Sequence, residues 1–308
     1  MRRACATALT GGAASAYRFA VSAKRGAEAF REYYRALFGD RWEALESALR
    51  SPADSVPIAV AEDEGLLVGD AALAFAAESG SEAYFMDSAS IFAARALNLP
   101  EEGKILDACA APGGKSLVLA ASVAAARDGR GRAASGVIAN ELSSDRRRRL
   151  AAVLDSRLPP AIRARVEIRG WDAASLCRRM PCAFGAILLD APCSSERHVL
   201  ADLAALSEWS PARVRNLAAR QWALLSSAFL MLAPGGCLVY STCALSPEEN
   251  DRVAERLAAK YGAAAAFDPP SLAGAPAGSE ATERGVAVLP DRASGAGPMY
   301  VCRVRKRR

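Results

Sequence analysis

Short apolar runs alternate with longer segments of helical periodicity from residue 104 onward. The apolar runs pass into polar or glycine-bearing positions, as strands do at turns, and they are KILDACA (104–110), GVIANE (136–141), RVEIRG (165–170), FGAILLD (184–190), CLVYST (237–242) and MYVCRVRK (299–306). Segments with apolar residues at helical spacing, such as 211–233, separate several of these runs. This alternation predicts an α/β fold with a mostly parallel sheet that helices cover on both faces.

The part of the chain before this region has a different pattern. Apolar residues over 26–49 recur at helical spacing and predict two short helices joined at Gly39 and Asp40. Residues 269–298 are rich in Pro, Gly, Ala and Ser, which predicts a loop. We therefore expect three parts, namely a disordered basic tail (1–25), a helical N-terminal extension (26–85) and the main α/β domain (86–308).

The composition is that of an ordinary soluble globular protein, with 52% hydrophobic and 24% charged residues. No apolar run reaches the roughly 18–20 residues that span a bilayer, so we expect no membrane partner. The eight cysteines include no C-x-x-C pair and His198 is the only histidine, so we expect reduced thiols and no metal site. We expect a cytoplasmic location, with a mitochondrial one as the alternative because the acid-free, Arg-bearing start resembles a transit peptide.

Basic residues are clustered along the chain rather than spread evenly. The net charge is +5, yet residues 1–27 carry five basic side chains and no acid, RRRR fills 146–149 and RVRKRR ends the chain. One such run is as often a solvated helix face as a binding surface. Together the runs favour a polyanionic partner such as nucleic acid.

A glycine-rich turn follows the first apolar run, at the edge of the sheet where ligands of parallel α/β folds bind. The turn DACAAPGGKS (107–116) places Gly113 and Gly114 where a ligand can approach the backbone, and the following helix offers free N–H groups to a negative group. It lacks both the G-x-G-x-x-G of dinucleotide folds and the G-x-x-x-x-G-K-[ST] of phosphate loops. A tight turn without a ligand is the alternative.

The next two runs lead into acidic residues. Glu141 could accept hydrogen bonds from the hydroxyls of a ribose, or it could be a helix-start acid. Asp172 could contact an adenine amino group, or it could cap the helix that follows. Taken with the glycine-rich turn, these positions predict an adenosine-containing cofactor with a charged tail. S-adenosyl-L-methionine fits, because its tail is an amino acid rather than a pyrophosphate.

Two cysteines stand just past the ends of neighbouring strands. Cys193 follows the fourth apolar run, which ends at Asp190, and Cys243 follows the fifth. An arbitrary cysteine is usually a small buried hydrophobe. These two lie in polar turns beside the expected sulfonium cofactor, where positive charge favours the thiolate, a strong covalent nucleophile.

Three segments, DACAAPGGKS, DAPCSSERH and YSTCALSPEEND, resemble the signature motifs of the Sun-type (Fmu-like, NSUN) RNA cytosine-C5 methyltransferases. The resemblance covers about residues 26–308 and includes AFREYYRALFGDRWEAL, YFMDSAS and GPMYVCRVRK. It implies a Rossmann-like class I S-adenosylmethionine-dependent methyltransferase with a mostly parallel seven-stranded sheet, a small helical N-terminal extension and a catalytic domain over 86–308. SSERH resembles the short branch that includes the mitochondrial ribosomal-RNA enzyme, so ribosomal RNA is favoured over transfer RNA as the partner.

The resemblance also implies a role for each matching residue. Cys243 would add to carbon 6 of cytosine, Cys193 would help release it by promoting loss of the carbon 5 proton, and Asp190 would bond the N3/N4 edge of the base. The family more often has Asp where Glu141 stands. Cofactor-binding positions of the family match Ala110, Ala111, Pro112, Gly113, Gly114, Lys115, Glu141, Arg146, Asp172 and Asp190.

Two other classes of function stay open. A non-catalytic RNA-binding relative, acting as a ribosome-assembly factor, would be expected to have lost one of the two cysteines, and both remain. A methyltransferase for a small molecule or a protein would leave the paired cysteines without a purpose. No protein partner is implied by any of the motifs.

Overall fold

The computed structural model describes residues 25–100, 103–126 and 136–307, so the expected disordered tail lies, except for Arg25, outside the described residues. The helices are α1 (Ala27–Phe38), α2 (Trp42–Arg50), α3 (Asp70–Ser79), α4 (Ser88–Arg95), α5 (Gly114–Ala125), α6 (Ser144–Arg157), α7 (Pro160–Arg163), α8 (Glu196–Ala201), α9 (Leu203–Ser207), α10 (Pro211–Met231) and α11 (Asp251–Tyr261). The strands are β1 (Ser55–Ala61), β2 (Gly65–Val68), β3 (Tyr84–Asp87), β4 (Lys104–Asp107), β5 (Val137–Asn140), β6 (Val166–Arg169), β7 (Phe184–Asp190), β8 (Leu232–Thr242), β9 (Ala265–Phe267), β10 (Glu280–Ala281), β11 (Val286–Val288) and β12 (Met299–Lys306).

The main sheet has the order β10-β11-β12-β8-β7-β4-β5-β6, and β9 pairs with β12 as its ninth strand. The pairs among β4 to β8 are parallel, and those that involve β9 to β12 are antiparallel. The α/β class and the parallel centre of the sheet are therefore as predicted. The count of seven strands is wrong, because β10 and β11 form where the Pro/Gly-rich composition predicted a loop, and β9 adds a short edge.

Apolar side chains cover both faces of the parallel strands. In β4, Ile105 belongs to the core on one face and Leu106 to the core on the other. Leu117 of α5 packs in the first core and Phe229 of α10 in the second. Strands buried on both faces have continuous apolar sequences, which is why these runs were recognisable.

The N-terminal region confirms the two predicted helices, α1 and α2, which meet at a short turn of 3₁₀ helix, Gly39–Arg41. Their aromatic side chains form a buried cluster against the start of α10, with Phe30, Trp42 and Trp209 fully buried. The rest of the region is not helical throughout. Strands β1, β2 and β3 form an antiparallel sheet of their own. The four-residue strands β2 and β3 are too short for their alternation to be recognised in the sequence.

Candidate active site

The centre of the rim lies between β4 and β7, where the parallel strand order changes direction. Lys115, the second residue of α5, reaches across this point, and its Nζ lies 2.8 Å from Oδ2 of Asp190 at the end of β7. Ser241 of β8 donates to the other carboxylate oxygen at 2.9 Å. Burial by itself would lower the pKa of Lys115, but the charge of Asp190 outweighs it and the pKa is raised. The pair is therefore a fixed ammonium–carboxylate contact.

The two cysteines meet because β7 and β8 are adjacent and in register. Asp190 pairs with Ser241, so Cys193 and Cys243 both follow within three residues of the same level in the sheet. Their Sγ atoms lie 3.1 Å apart, and both side chains are half-buried. The structure thus brings together the two thiols and the carboxylate that the strand-end pattern singled out.

The two thiols differ in their tendency to ionise. The hydrogen bond with Cys243 and burial raise the pKa of Cys193 well above its ordinary value. The same hydrogen bond lowers the pKa of Cys243; burial opposes this effect and a hydrogen bond from Ser195 adds to it. Cys193 is therefore the thiol that donates in this hydrogen bond, and Cys243 is the one of the two that ionises more readily.

Glu196 lies fully buried behind the cysteines and connects the two loops that carry them. Its carboxylate accepts the hydroxyls of Tyr34 and Ser194 and, at 3.0 Å, the backbone N–H of Leu245. Ser194 is the neighbour of Cys193, and Leu245 follows Cys243 by two residues. The carboxylate thereby sets how far apart the two loops stand.

A second buried acid, Glu249, holds the backbone of the Cys193 loop. Its Oε2 accepts the N–H of Ser194 at 3.0 Å and the amide of Gln221 at 2.7 Å. Burial, with the nearby charge of Glu196, raises the pKa of Glu249 to about 7. Sequence reasoning missed both acids, since nothing in one sequence distinguishes the buried Glu196 and Glu249 from an exposed acid such as Glu248.

The two glycines of the expected cofactor turn make room for neighbouring side chains. Gly113 has φ +127°, and a Cβ there would lie 3.0 Å from Val153 of α6. A Cβ on Gly114 would lie 2.9 Å from the ring of Tyr84. The absence of a side chain at each glycine thus leaves room for Val153 and Tyr84 to pack. Contact between a cofactor and the backbone of these glycines stays a prediction.

Arg146 connects this turn to the acid at the end of β5. Its guanidinium donates to the carbonyl of Ala111 at 2.9 Å and lies 3.5 Å from Oε2 of Glu141. The other oxygen of Glu141 accepts the N–H of Ser143, whereas the buried Oε2 has no hydrogen-bond partner. A buried acceptor without a donor fits a ligand hydroxyl, as the ribose of S-adenosyl-L-methionine would provide.

The remaining predicted cofactor residues lie around the same turn. Ala110 is buried and its N–H donates to the carbonyl of Asn140 at 2.9 Å, while Pro112 is exposed. Asp172 is also exposed, and its carboxylate accepts from the N–H of Ala174 and the hydroxyl of Ser175. Asp172 thus closes a turn just before the 3₁₀ helix Leu176–Arg178, whose N-cap is Ser175, and its contact with adenine stays a prediction.

Asp107 is a buried acid of this turn that sequence reasoning also missed. It ends β4 and accepts the hydroxyl of Ser116 at 2.6 Å. Burial raises the pKa of Asp107 to about 7, so the carboxyl is largely protonated below neutrality. The position of Asp107 at a strand end could have marked it as a site residue, but in the sequence it was interpreted only as part of the glycine-rich motif.

Two kinds of feature are absent from the described parts of the chain. No helix there combines the length and apolarity that crossing a membrane requires. No three His, Cys, Asp or Glu side chains there converge as a metal site would need.

The fold and the paired thiols on its rim define a class I methyltransferase architecture with a candidate nucleophile. Residues 94–305 match the family described as 16S rRNA methyltransferase RsmB/F, and the chain belongs to this family. NSun6 from Pyrococcus horikoshii shares the fold, with a TM-score of 0.68 and 19% identity over 91% of this chain and 98% of that one.

Two relatives of the chain are named as RNA methyltransferases. The chain is 41% identical over 189 residues to ribosomal RNA small subunit methyltransferase F of Aeromonas hydrophila, covering 60% of this chain and 37% of the relative. It is 36% identical over 181 residues to the mitochondrial tRNA (cytosine(34)-C(5))-methyltransferase of Danio rerio, covering 58% of this chain and 46% of the relative. The matches thus span less than half the length of these relatives.

Proposed function

We propose that the protein methylates carbon 5 of a cytosine in RNA, with S-adenosyl-L-methionine as the methyl donor. The observation that carries the proposal is the 3.1 Å contact between the sulfurs of Cys193 and Cys243 beside Asp190. Carbon 5 of cytosine becomes nucleophilic when a nucleophile adds to carbon 6. This reaction therefore needs a nucleophilic sulfur, whereas methyl transfer to an atom that is already nucleophilic does not. The family and the names of the relatives support RNA as the acceptor.

Cys243 is the nucleophile in this proposal. Its lowered pKa favours the thiolate, which is the reactive form of a cysteine. The sulfur forms a bond to carbon 6 with its own electron pair, and the electrons displaced from the ring make carbon 5 reactive. When bound, S-adenosyl-L-methionine supplies the electrophilic methyl group that carbon 5 takes.

Cys193 and Asp190 assist different stages of this reaction. Cys193 promotes loss of the carbon 5 proton, after which the bond from Cys243 to carbon 6 breaks and the base is released. Asp190 takes up a proton from solvent and shares it with N3 at the N3/N4 edge of the cytosine, which offsets the negative charge that addition of the sulfur places on the ring. Lys115 holds the Asp190 carboxylate at 2.8 Å and so orients it toward the base.

The cofactor lies, in this proposal, along the turn after β4 and the end of β5. Backbone groups of Ala110, Ala111, Pro112, Gly113 and Gly114 form one wall. The buried Oε2 of Glu141, which has no hydrogen bond, would accept a ribose hydroxyl, and the ion pair with Arg146 holds that acid in place. Asp172 contributes at the adenine end.

Ribosomal RNA is the substrate that we favour, with transfer RNA as the alternative. The matched family is described by 16S rRNA, whereas one relative is named for a tRNA cytosine. A paired base is out of reach of a buried thiolate, so the cytosine must be unpaired or flipped out, at a cost of a few kcal/mol. Phosphate contacts from the basic surface would offset that cost and make binding salt-dependent.

A trapped protein–RNA adduct tests the proposal. Without Cys193 the release step fails, so Cys193→Ala incubated with S-adenosyl-L-methionine and either ribosomal or transfer RNA should give a covalent band on a denaturing gel. The band should vanish in Cys193→Ala/Cys243→Ala. Sequencing the trapped RNA identifies the nucleotide and separates the two substrates.

Cys182→Ala is a matched control for this experiment. Cys182 is an exposed cysteine that precedes β7, at the opposite end of the strand from Cys193, so its loss should leave no stable adduct. If folded Cys193→Ala binds the cofactor and traps neither RNA, the reaction proposed here is wrong. RNA binding without an adduct in that case would favour the non-catalytic ribosome-assembly role.

The cytoplasmic location stays a prediction, with the mitochondrion as its alternative. Immunolocalisation of the tagged full-length protein in its own cells would decide between them. Enrichment in an organelle fraction would contradict the cytoplasmic expectation.

A further inference from the structure

A third side chain touches the sulfur of Cys243. The hydroxyl oxygen of Ser195 lies 3.1 Å from Sγ of Cys243 and 3.5 Å from Sγ of Cys193. The other nearby serines have different partners: Ser194 donates to Glu196 and Ser241 donates to Asp190. The Ser195 hydroxyl, in contrast, has both sulfurs within hydrogen-bonding distance, and Sγ of Cys243 is nearer to it than its other acceptor, the Cys193 carbonyl oxygen at 3.5 Å.

The backbone of Ser195 has an unusual conformation for a residue with a side chain. Its φ is +54°, in the left-handed region that costs L-residues other than glycine about 1 kcal/mol. Such conformations persist where the surroundings hold them. Both neighbours are held: the N–H of Ser194 binds Glu249, and the side chain of Glu196 binds Leu245. These anchors fix the loop with the Ser195 hydroxyl directed at Cys243.

We propose that Ser195 is a catalytic residue whose hydroxyl donates a hydrogen bond to the Cys243 thiolate and keeps this sulfur ionised and aligned for attack. Hydrogen bonds to charged acceptors are roughly twice as strong as those between neutral groups. The proton that Cys243 loses goes to water, and the Ser195 proton stays on its oxygen throughout. This inference deepens the proposed function and rests on it.

The test measures how readily Cys243 ionises in Ser195→Gly. Glycine adopts a positive φ without strain, so this variant removes the hydroxyl while the backbone keeps its conformation. Iodoacetamide reacts with the thiolate, and peptide mass spectrometry follows Cys243 separately from the other cysteines. The midpoint of the pH–rate curve should move to higher pH in Ser195→Gly.

The size of the effect follows from two opposing trends. Loss of one charge-assisted hydrogen bond lowers the thiolate fraction about tenfold below the midpoint. A more basic thiolate is intrinsically about threefold more reactive, so the net rate falls about threefold there and the plateau at high pH rises. A change that merely loosened the loop would raise the alkylation rate at every pH, so the pH–rate curves of the variant and the native chain would not cross.

Ser294→Gly is the matched control. Ser294 also has a positive φ, +52°, and is exposed, so its replacement makes the same backbone change away from the cysteines. Its midpoint should equal that of the native chain. Ser195→Ala should move the midpoint as Ser195→Gly does; a shift in Ser195→Ala alone would mean that backbone strain is the cause and would overturn the proposal.

The alkylation readout needs neither RNA nor cofactor, which separates the two proposals. An unchanged midpoint in Ser195→Gly, while Cys193→Ala still traps RNA, overturns the role of Ser195 alone. A shifted midpoint, while Cys193→Ala never traps RNA, overturns the proposed reaction alone. If both hold, turnover in Ser195→Gly should fall several-fold with little change in the KM for RNA.

Discussion

Glu196 accepts the backbone N–H of Leu245 at 3.0 Å, and this hydrogen bond joins the loop after β7 to the loop after β8. The same carboxylate accepts the hydroxyl of Ser194, next to Cys193. The distance between the two sulfurs is thus controlled by a side chain that touches neither of them.

Replacing Glu196 by Ala should loosen both loops and destabilise the fold. The variant leaves the N–H of Leu245 and two hydroxyls without their acceptor in a fully buried place, so the free energy of unfolding should fall by about 2–3 kcal/mol. Urea denaturation followed by tryptophan fluorescence measures this. Glu208→Ala, which changes an exposed acid, should stay within about 0.5 kcal/mol of the native chain. Equal stability of the two variants would mean that other contacts hold the loops.

Gly114→Ala tests whether the start of α5 has room for a side chain. The added Cβ would lie 2.9 Å from the Tyr84 ring, so we expect a loss of about 1–3 kcal/mol in the free energy of unfolding. In a Tyr84→Ala background the same change should cost much less, because the clashing atoms are gone. Four urea denaturation curves complete this double-mutant cycle. An equal cost in both backgrounds would rule out the clash as the cause.

Arg146→Ala should weaken binding of S-adenosyl-L-methionine about tenfold, the effect of losing roughly one charged hydrogen bond. The variant removes the donor to the Ala111 carbonyl and the charge beside Glu141. Isothermal titration calorimetry measures the Kd. Arg149, an exposed arginine of the same helix, is the control, and Arg149→Ala should bind as the native chain does. Equal weakening in both would point to general charge rather than to this contact.

Asp107 should make stability depend on pH. Burial raises its pKa from 3.8 to about 7, so between these values the folded protein holds a proton that the unfolded chain has released. Stability therefore falls as pH rises through this window, by at most about 1.4 kcal/mol per pH unit. Asp107→Asn cannot ionise and should lack this part of the slope. Urea denaturation at several pH values compares the two, and parallel slopes would contradict the expectation.

The predictable part of the fold was the part with long apolar runs. Strands such as β7, buried on both faces, leave continuous apolar stretches that a single sequence reveals. Strands β9, β10 and β11 have three, two and three residues, too few for any periodicity, and they were missed.

The site was predictable where it depends on strand ends and not where it depends on burial. Cys193 and Cys243 follow adjacent strands, so their meeting could be expected. The partner of Glu196 could not, because Tyr34 is 162 positions away and only the packing of α1 brings it close. Ser195 follows Cys193 by two residues, but the direction of its hydroxyl depends on a backbone conformation that the sequence does not reveal.

The hydrogen bond between Tyr34 and Glu196 limits where this chain can be truncated. The matched family region begins at residue 94, whereas α1 and α2 bury Phe30 and Trp42 against Trp209 and supply a donor to the catalytic loop. A fragment that starts at residue 86 would lack Phe30, Trp42 and Tyr34, which would expose Trp209 to water and leave Glu196 without one of its donors. The segment that matches the family model is thus shorter than the segment whose side chains pack around the two cysteine loops.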